Sequence, residues 1–506
     1  MEGDSSVAHR MDEARMAQAS WASQPLRERL QILRRFRHAI ARHAEELART
    51  VRRPIAETLT SQIIPLADHL RYLESNATSI LAPRRLGAGG RPLWLHGTRT
   101  IIFREPVGVV LILAPSNYPL LIPGTQLIQA LAAGNAVILK PSPQGRLAAV
   151  ALQRLLIDAG LEPTLLTILS TDRENAIAAV RARPNKILLT GSSTTGREVL
   201  RAAADLLIPC VLELSGSDAV FVRADADVTL TAAALRFGLY LNDGATCIAP
   251  RRVFVHRTLH NALETALRLE LESLPPIRLD PRQAEKLRPL ADNACYQGAS
   301  RIWPVRVDWN QAVGPFVFSS APTSLPLFDT DVFAPVLSLV PVDNDEEALA
   351  AADRCPFALG AAVFSSDATA ARHLAARIPA GVVSINDLIV PTADPRVPFG
   401  GRRSSGFGVT RGAEGLLELT QPKVVAHRLG NWLPHLDAPR SEDAAFFAAA
   451  LRSQHSQSAW ERIQAAWETV RFALRRRRSQ LQNPPHPSQR IAPDPRTIPV
   501  PHETQF

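Results

Sequence analysis

The sequence predicts an α/β protein with doubly wound parallel sheets. Short, largely uncharged strands rich in Val, Ile and Leu alternate with helical segments over about residues 107–214. A second alternation of this kind covers about residues 215–405. Apolar residues make up 46% of the 506 residues, which is enough to form large buried cores. Repeated strand–helix alternation is typical of parallel sheets covered by helices on both faces.

The N-terminal region, about residues 10–80, is predicted to be helical. Its leucines and isoleucines recur at helical spacing, with arginines between them. A loop at 81–92 separates this region from the first alternation. That alternation predicts strand 107–113, helix 121–133, strand 135–140, helix 145–159, strand 165–169, helix 173–182, strand 186–191, helix 195–205 and strand 210–214.

The second alternation is less regular. It predicts helix 228–241, helix 259–273, strand 336–342, helix 345–353, strand 361–366, helix 367–377 and strand 381–386. Residues 275–330 are rich in proline and weakly periodic, so irregular surface structure is expected there. Residues 441–480 are predicted to be helical, and the Pro-rich segment that follows them is predicted to be disordered.

The chain is basic, with a formal charge of +9 and a pI near 10.0. All but four of its 57 basic residues are arginines, which favours a genome-wide codon bias over a basic binding surface. No zinc-finger, RNP or helix-turn-helix pattern is present, so no nucleic-acid partner is expected. The run Arg475–Arg478 is interpreted either as a solvated helix end or as a weak contact with an acidic partner or a membrane surface.

Other function classes are disfavoured by simple patterns. The uncharged run 106–139 is cut by prolines and glycines into pieces too short to span a bilayer, so no membrane partner is expected. The four cysteines are far apart, which argues against a disulfide scaffold and against a metal site. Such thiols fit a reducing cytosol, and the first twenty residues lack the apolar region of a secretory signal. A cytoplasmic location is therefore expected.

Three polar residues stand where chemistry is possible. Cys247 lies in a polar turn, 242–250, and is interpreted either as a reactive thiol or as a packing residue. Glu213 ends an apolar strand, and Asn117 follows another strand end. Ligands bind at the carboxyl ends of strands in open α/β sheets, and an amide there can donate a hydrogen bond to an oxyanion.

The usual GxGxxG dinucleotide motif is absent. The segment 188–199 offers another arrangement, in which a strand is followed by Gly191, Ser192 and a helix. The free N–H groups at such a helix start can bind a pyrophosphate.

Several motifs in one order resemble the aldehyde dehydrogenase superfamily. They are PVGVVLILAPSNYP (106–119), ALAAGNAVILKPS (130–142), LLTGSSTTG (188–196), LELSGS (212–217), NDGATC (242–247), DVFAPV (331–336) and INDLIVPTADPRVPFGGRRSSGFG (385–408). The resemblance covers about residues 20–428 and is closer to the shorter, dimer-type members. It implies two Rossmann-like doubly wound domains with a small β oligomerisation appendage, and a homodimer.

The resemblance also implies a domain division. Residues 10–92 and 106–214 would form the cofactor-binding domain, and residues 215–410 the catalytic domain. Residues 93–105 and 417–429 would pair as the appendage. Residues 430–506 would be a C-terminal extension, partly helical and then disordered.

The activity implied is the oxidation of an aldehyde substrate to a carboxylic acid with NAD or NADP. Cys247 would attack the aldehyde and pass through a thiohemiacetal to a thioester. The Asn117 amide and the Cys247 backbone N–H would hold the oxyanion, and Glu213 would activate water. The cofactor would contact Lys140 and Ser142 near its adenosine ribose, Gly191 and Ser192 at the pyrophosphate, and Asp331 and Phe333 at the nicotinamide end.

The chain departs from the family pattern at several positions. Pro143 replaces a usual glutamate, Asp331 replaces another, and Ala245 replaces a glutamine. Without the carboxylate at position 143, we expect NADP to be accepted at least as well as NAD. Arg146 either reaches the 2′-phosphate together with Lys140 or points to solvent. The alternatives are a weak or inactive homologue that acts as a binding or scaffolding subunit, and an acyl-phosphate or acyl-CoA reductase.

Overall fold

The computed structural model describes residues 4–92, 95, 97–304, 309, 313–429, 436 and 443–482. The chain divides into two units, which are described separately. The first comprises Met1–Leu86 with Ile101–Val425, and the second comprises Gly87–Thr100 with Ala426–Phe506.

The N-terminal region is helical, as its periodicity predicts. Its helices are α1 (Asp4–Ser23), α2 (Leu26–Arg42), α3 (Ala44–Arg49), α4 (Ile55–Thr58) and α5 (Ile64–Ile80). One π-helical turn, Leu59–Ile63, joins α4 to α5. Helix α2 buries Leu33, Phe36 and Ile40, which recur three or four residues apart and therefore share one face.

The first alternation is present in the predicted order, with every boundary within two residues of the prediction. Together with two earlier strands it consists of β1 (Arg84–Leu86), β2 (Thr98–Pro106), β3 (Val109–Leu113), α6 (Leu121–Ala132), β4 (Ala136–Lys140), α7 (Arg146–Asp158), β5 (Leu166–Ile168), α8 (Arg173–Arg181), β6 (Lys186–Thr190), α9 (Ser193–Ala204) and β7 (Cys210–Glu213). The short strand β1 lies in the segment that we expected to be a loop.

The remaining elements complete the two units. They are β8 (Asp218–Val222), α10 (Val228–Tyr240), β9 (Pro250–His256), α11 (His260–Glu272), β10 (Ile277–Arg278), α12 (Pro281–Tyr296), β11 (Ser300–Trp303), β12 (Val313–Gly314), β13 (Phe316–Ser319), β14 (Val336–Val342), α13 (Asp345–Asp353), β15 (Phe357–Ala358), β16 (Gly360–Phe364), α14 (Ala368–Arg377), β17 (Val382–Ile385), β18 (Arg402–Arg403), β19 (Gly406–Phe407), α15 (Gly412–Glu418), β20 (Thr420–Arg428), α16 (Asp443–His455) and α17 (Ala459–Gln482).

The first sheet has six strands in the order β19-β7-β6-β3-β4-β5. Strands β3 to β7 are parallel, and all five residues of β3 are buried, as expected for a strand covered on both faces. From β3 the chain moves outward through β4 and β5 in one direction, and through β6 and β7 in the other. This reversal of strand order opens a crevice at the carboxyl ends of the strands.

One strand of the first sheet comes from a distant part of the chain. Strand β19 pairs antiparallel with β7, and Gly406 lies opposite Glu213. Next to it, the buried Ser405 hydroxyl donates to the Ser215 carbonyl at 2.7 Å and accepts from the Ala358 N–H at 2.9 Å. The segment after the second sheet is therefore built into the edge of the first.

The second sheet has seven strands in the order β11-β13-β14-β9-β8-β16-β17. Its strands are parallel except for β11. Phe254 belongs to the apolar cluster on one face and Val253 to the cluster on the other, so successive side chains of β9 enter two cores. Both alternations thus form doubly wound parallel sheets.

The expectation of irregular structure over residues 275–330 is wrong. Helix α12 lies in this region and begins with a capping box, in which Asp280 and Gln283 each bond the backbone of the other. Strands β11 and β13 of the second sheet follow it. Pro289 lies inside α12, and a proline in that position resembles a helix breaker when only the sequence is read.

Strands β2 and β20 are neighbours in a three-stranded sheet of order β1-β2-β20. They fall in the two segments predicted for the β-appendage, although residues 93, 94 and 96 lie outside the described residues. In the second unit, the helical segment predicted at 441–480 consists of α16 and α17, which pack against each other. The Pro-rich end, 483–506, and the side chains of residues 476–478 also lie outside the described residues. Among the helices described, none combines the length and the apolar character needed to cross a membrane.

Candidate active site

A cleft of about 860 Å³ opens at the carboxyl ends of the central strands of the first sheet. All nine residues predicted for catalysis or cofactor binding line it: Asn117, Lys140, Ser142, Gly191, Ser192, Glu213, Cys247, Asp331 and Phe333. Six of them belong to, or directly follow, the strands β3, β4, β6 and β7. The other three come from loops beside the second sheet. The cleft therefore lies at the reversal of strand order, where a ligand site is expected.

The loop that carries Cys247 joins α10 to β9 and has an unusual backbone. Asn242 and Asp243 adopt left-handed conformations, with φ of 54° and 51°. Two residues of the N-terminal region hold them there. Glu57 accepts the Asn242 backbone N–H at 2.9 Å, and Arg53 pairs with Asp243 at 2.6 Å. Such strain persists only where the surrounding structure enforces it.

Gly216 lies directly against the loop that carries Cys247. A β-carbon at this position would be 2.2 Å from the carbonyl oxygen of Cys247, which is far inside van der Waals contact. The glycine therefore permits the strand end that carries Glu213 to approach Cys247 closely.

Arg251 links the Cys247 loop to the segment that carries Asp331 and Phe333. This buried guanidinium donates to the Gly244 carbonyl at 2.6 Å and to the Ala334 carbonyl at 2.6 Å. Burial lowers the pKa of Arg251 to about 10, so the group still carries its charge at neutral pH. Arginine in this position holds two site segments together through their backbones.

Glu213 is buried at the end of β7 and is held by two threonines. Thr410 donates a hydrogen bond to one carboxylate oxygen, and Thr190 donates to the other at 3.3 Å. Burial raises the pKa of Glu213, and the Arg411 charge and the threonine hydroxyls partly oppose this rise. A carboxyl group with a raised pKa is suited to accept and release a proton near neutral pH.

The Cys247 thiol is partly exposed to the cleft. Its pKa is raised to about 12, mainly by burial and also by the Glu213 and Asp218 carboxylates, while the Arg411 charge opposes the rise. The thiol is therefore protonated at neutral pH and needs a proton acceptor before it can act as a nucleophile. Of the charged groups around it, Glu213 has the largest effect on its pKa.

Asn117 lies opposite this thiol loop, after β3. Its side-chain amide donates to the Ala245 carbonyl at 3.1 Å, and the same carbonyl accepts from the Asn242 amide at 3.0 Å. The second amide N–H of Asn117 has no partner among the described residues. This N–H can therefore donate a hydrogen bond to a ligand oxygen in the cleft.

The residues predicted to bind a phosphate or a ribose occupy the other end of the cleft. Ser192 caps α9 by accepting the Thr195 N–H, so the amino end of this helix opens on the cleft. Burial lowers the pKa of Lys140, and Asp172 opposes this effect. The Ser142 hydroxyl donates to the Pro115 carbonyl at 3.1 Å, so its proton is used within the protein.

Asp331 and Phe333 stand on a loop before β14. One carboxylate oxygen of Asp331 is buried, and no described residue forms a hydrogen bond with it. Phe333 has a left-handed backbone with φ of 52°, and its carbonyl accepts from Gln283 at 2.7 Å. An orphaned buried acceptor of this kind is satisfied when a ligand hydroxyl donates to it.

Several site residues were not predicted from the sequence. Arg282 and Lys286 of α12 line the cleft, and the Asp280–Gln283 capping box is a signal that could have revealed their helix. Arg173 also lines the cleft, paired with Glu198 at 2.9 Å. Arg146, in contrast, is exposed and is not among the residues that line the cleft.

Comparisons with known proteins give a consistent result. A family model described as the aldehyde dehydrogenase family matches residues 2–425. The 4,4'-diapolycopene aldehyde oxidase of Methylomonas sp is 30% identical over 85% of this chain and 84% of its own length. A betaine aldehyde dehydrogenase of Cereibacter sphaeroides is 32% identical over 84% of this chain and 88% of its own.

Solved structures agree in fold. The Mycobacterium tuberculosis aldehyde dehydrogenase complexed with NAD+ superposes with a TM-score of 0.78 at 26% identity, covering 86% of this chain and 92% of that chain. The NADP-dependent glyceraldehyde-3-phosphate dehydrogenase of Bacillus halodurans C-125, complexed with NADP, has the same TM-score and identity. The match covers 85% of this chain and 92% of that chain.

Proposed function

Because the chain belongs to the aldehyde dehydrogenase family, we propose that Cys247, Glu213 and Asn117 carry its chemistry. The protein oxidises an aldehyde to a carboxylic acid with transfer of a hydride to NAD or NADP. One observation carries the assignment of these three residues. They line a single cleft together with all six residues proposed for the cofactor.

The first step is attack of the Cys247 sulfur on the aldehyde carbon, which forms the C–S bond of a thiohemiacetal. The thiol proton is released to solvent through the open cleft, to which Cys247 is partly exposed. The negative charge that develops on the aldehyde oxygen is stabilised by the Asn117 amide and the Cys247 backbone N–H. One such donor typically contributes about 3 kcal/mol to a transition state.

The second step releases the acid. A bound NAD or NADP would supply the hydride acceptor, and loss of the hydride from the thiohemiacetal carbon leaves a thioester on Cys247. Glu213 then takes a proton from a water molecule while the water oxygen attacks the thioester carbon. The C–S bond breaks, the carboxylic acid leaves, and the proton held by Glu213 passes to the Cys247 sulfur, which restores both residues.

The cleft fits a dinucleotide in three places. The amino end of α9 offers N–H groups to a pyrophosphate, and Lys140 offers a charged donor to the adenosine ribose. At the other end, the orphaned carboxylate oxygen of Asp331 fits a ribose hydroxyl. The Asp331 carbonyl accepts from Lys286, which fixes the loop in place.

We further propose that residues 10–92 with 106–214 bind the cofactor and that residues 215–410 form the catalytic domain. The six-stranded sheet, apart from β19, lies in the first range and the seven-stranded sheet in the second, which supports this division. A homodimer is supported by β20, which is an edge strand and exposes Val424 and Val425. An edge of this kind is suited to extending the sheet of a second copy. The four free cysteines support a reducing cytoplasmic location.

The alternatives receive no support from the described site. A scaffolding subunit does not require a nucleophile, a buried base and an amide donor in one cleft. A reductase that releases its acyl group to phosphate or coenzyme A does not require a water-activating acid, whereas Glu213 lines the cleft beside Cys247.

The proposal is tested by replacing Cys247 with serine. We expect Cys247→Ser to abolish turnover while the cofactor dissociation constant, measured by calorimetry, stays within about twofold of wild type. Cys210→Ser is the matched control, because Cys210 is also partly exposed but lies outside the cleft lining, and it should retain turnover. Near-normal turnover of Cys247→Ser would refute the assignment.

A further inference from the structure

Helix α17 carries an apolar stripe that the proposed function does not use. The stripe consists of residues spaced three or four apart: Trp460, Ile463, Trp467, Val470 and Leu474. This spacing places them on one face of the helix. Each side chain is between 52% and 73% exposed. A contiguous exposed apolar surface with two tryptophans marks an interaction site rather than ordinary surface.

The stripe is not the face that packs on α16. Ala465 is 2% exposed and Phe472 is partly buried, and both lie roughly opposite the stripe at 100° per residue. Glu468, also on the inner side, pairs with Arg452 of α16 at 2.7 Å. One face of α17 therefore packs against α16, and a second, apolar face is exposed.

The charge of α17 indicates what covers this second face. The helix contains six arginines and two glutamates, and one of those glutamates is already paired with Arg452. Exposed Arg471 and Arg475 border the stripe, and the run Arg475–Arg478 follows its last residue. A second copy of this helix would bring the same excess of positive charge to the contact. An anionic surface complements it.

We propose that α17 lies flat on an anionic membrane surface, with the stripe buried at the boundary between headgroups and acyl chains. Amphipathic helices that bind in this way have aromatic and aliphatic residues on one face and basic residues beside it. Tryptophan is favoured at the membrane interface because its ring is apolar and its N–H is polar. The arginines contact lipid phosphates, each contributing attraction that falls off within a Debye length.

The test measures binding of the full-length protein to sedimenting vesicles. One set is made of phosphatidylcholine alone, and the other also contains phosphatidylglycerol. The stripe variant is Leu474→Asp, and its matched control is Leu269→Asp, because Leu269 is 64% exposed on α11 and Leu474 is 57% exposed. Activity towards a water-soluble aldehyde reports that each variant is folded, since neither leucine belongs to the catalytic machinery.

We expect wild type and Leu269→Asp to bind the vesicles with phosphatidylglycerol, and Leu474→Asp to bind at least about tenfold more weakly. Raising the salt to about 1 M should weaken wild-type binding, because the Debye length then shrinks to about 3 Å. Equal binding to both vesicle types, or no binding by wild type, would overturn the proposal. If wild type does not bind vesicles, and light scattering gives Leu474→Asp a lower molar mass than wild type, the stripe instead contacts a second copy of the chain.

Discussion

Arg251 donates a hydrogen bond of 2.6 Å to the carbonyl oxygen of Gly244, at the start of the Cys247 loop. Its other terminal nitrogen donates to Ala334, beside Phe333. A single buried side chain therefore joins the loop of the proposed nucleophile, Cys247, to the loop proposed to hold the nicotinamide end of the cofactor. We interpret Arg251 as a positioning residue, since it touches both segments only through their backbones.

Replacing Arg251 by methionine should loosen both segments. Each buried carbonyl that loses its donor costs about 1–3 kcal/mol. We expect Arg251→Met to lower the melting temperature, to weaken NAD binding and to slow formation of the thioester. Calorimetry measures NAD binding, and stopped-flow absorbance of the first turnover measures thioester formation.

Arg252→Met is the control for Arg251→Met. Arg252 is also buried, but it donates to the carbonyls of Ser217 and Ala352 rather than to the two segments that Arg251 joins. It should lower the melting temperature and leave cofactor affinity near that of wild type. If the two variants change cofactor affinity equally, Arg251 has only a structural role.

Replacing Glu213 by glutamine should separate the two halves of the reaction. We expect one equivalent of reduced cofactor per site to form in a burst, after which turnover stalls because glutamine cannot activate the water that hydrolyses the thioester. Rapid-mixing absorbance at the reduced-nicotinamide band measures the burst. Glu198→Gln is the control, because Glu198 also lines the cleft but pairs with Arg173, and it should turn over steadily. Equal slowing of both steps in Glu213→Gln would indicate a different base.

Thr410→Val should shift the pH dependence of deacylation. The Thr410 hydroxyl lowers the pKa of Glu213 against the effect of burial, so its removal raises that pKa further. The base must be deprotonated to act. Deacylation is therefore lost as the pH falls through the raised pKa, and in Thr410→Val this loss should begin at a higher pH. Single-turnover rates of deacylation, measured from acidic to neutral pH, give the pH at which this loss begins.

The control for this shift is Thr420→Val. Thr420 is also buried, and its hydroxyl donates to the Leu417 carbonyl at 2.8 Å rather than to a carboxylate. Its pH profile should match that of wild type. If deacylation in Thr410→Val is lost at the same pH as in wild type, Glu213 is not the group whose protonation causes the loss.

Cofactor preference should depend on position 143. Pro143 lines the cleft and offers no carboxylate to a ribose, so wild type should bind NADP at least as well as NAD. Pro143→Glu should shift the ratio of the two dissociation constants towards NAD by about tenfold, or ~1.4 kcal/mol. Arg146→Ala should leave the ratio unchanged, since Arg146 does not line the cleft. Wild-type binding of NAD more than about tenfold tighter than NADP would contradict this prediction.

The parts of the fold that could be predicted are those in which local pattern and final environment agree. Strand β3 is an uncharged run because it is buried on both faces, and this pattern is visible without the structure. Helix α12 is not predicted, because its region is rich in proline and weakly periodic although a capping box begins the helix at Asp280. The site residues that could be predicted from the sequence, such as Cys247, lie in motifs. Thr410 lies 197 positions from its partner Glu213, and nothing local marks such a pair.

The edge of the first sheet has a consequence for how the protein unfolds. Strand β19 closes that sheet beside β7, and Ser405 bonds backbone groups on both sides of the junction. Ser405 thus joins the segment after β7 to Ala358, two residues before β16 of the second sheet, so unfolding on either side of the junction breaks a hydrogen bond that anchors the other side. A chain truncated before residue 405 would lose both this link and the strand that completes the sheet of the proposed cofactor-binding domain.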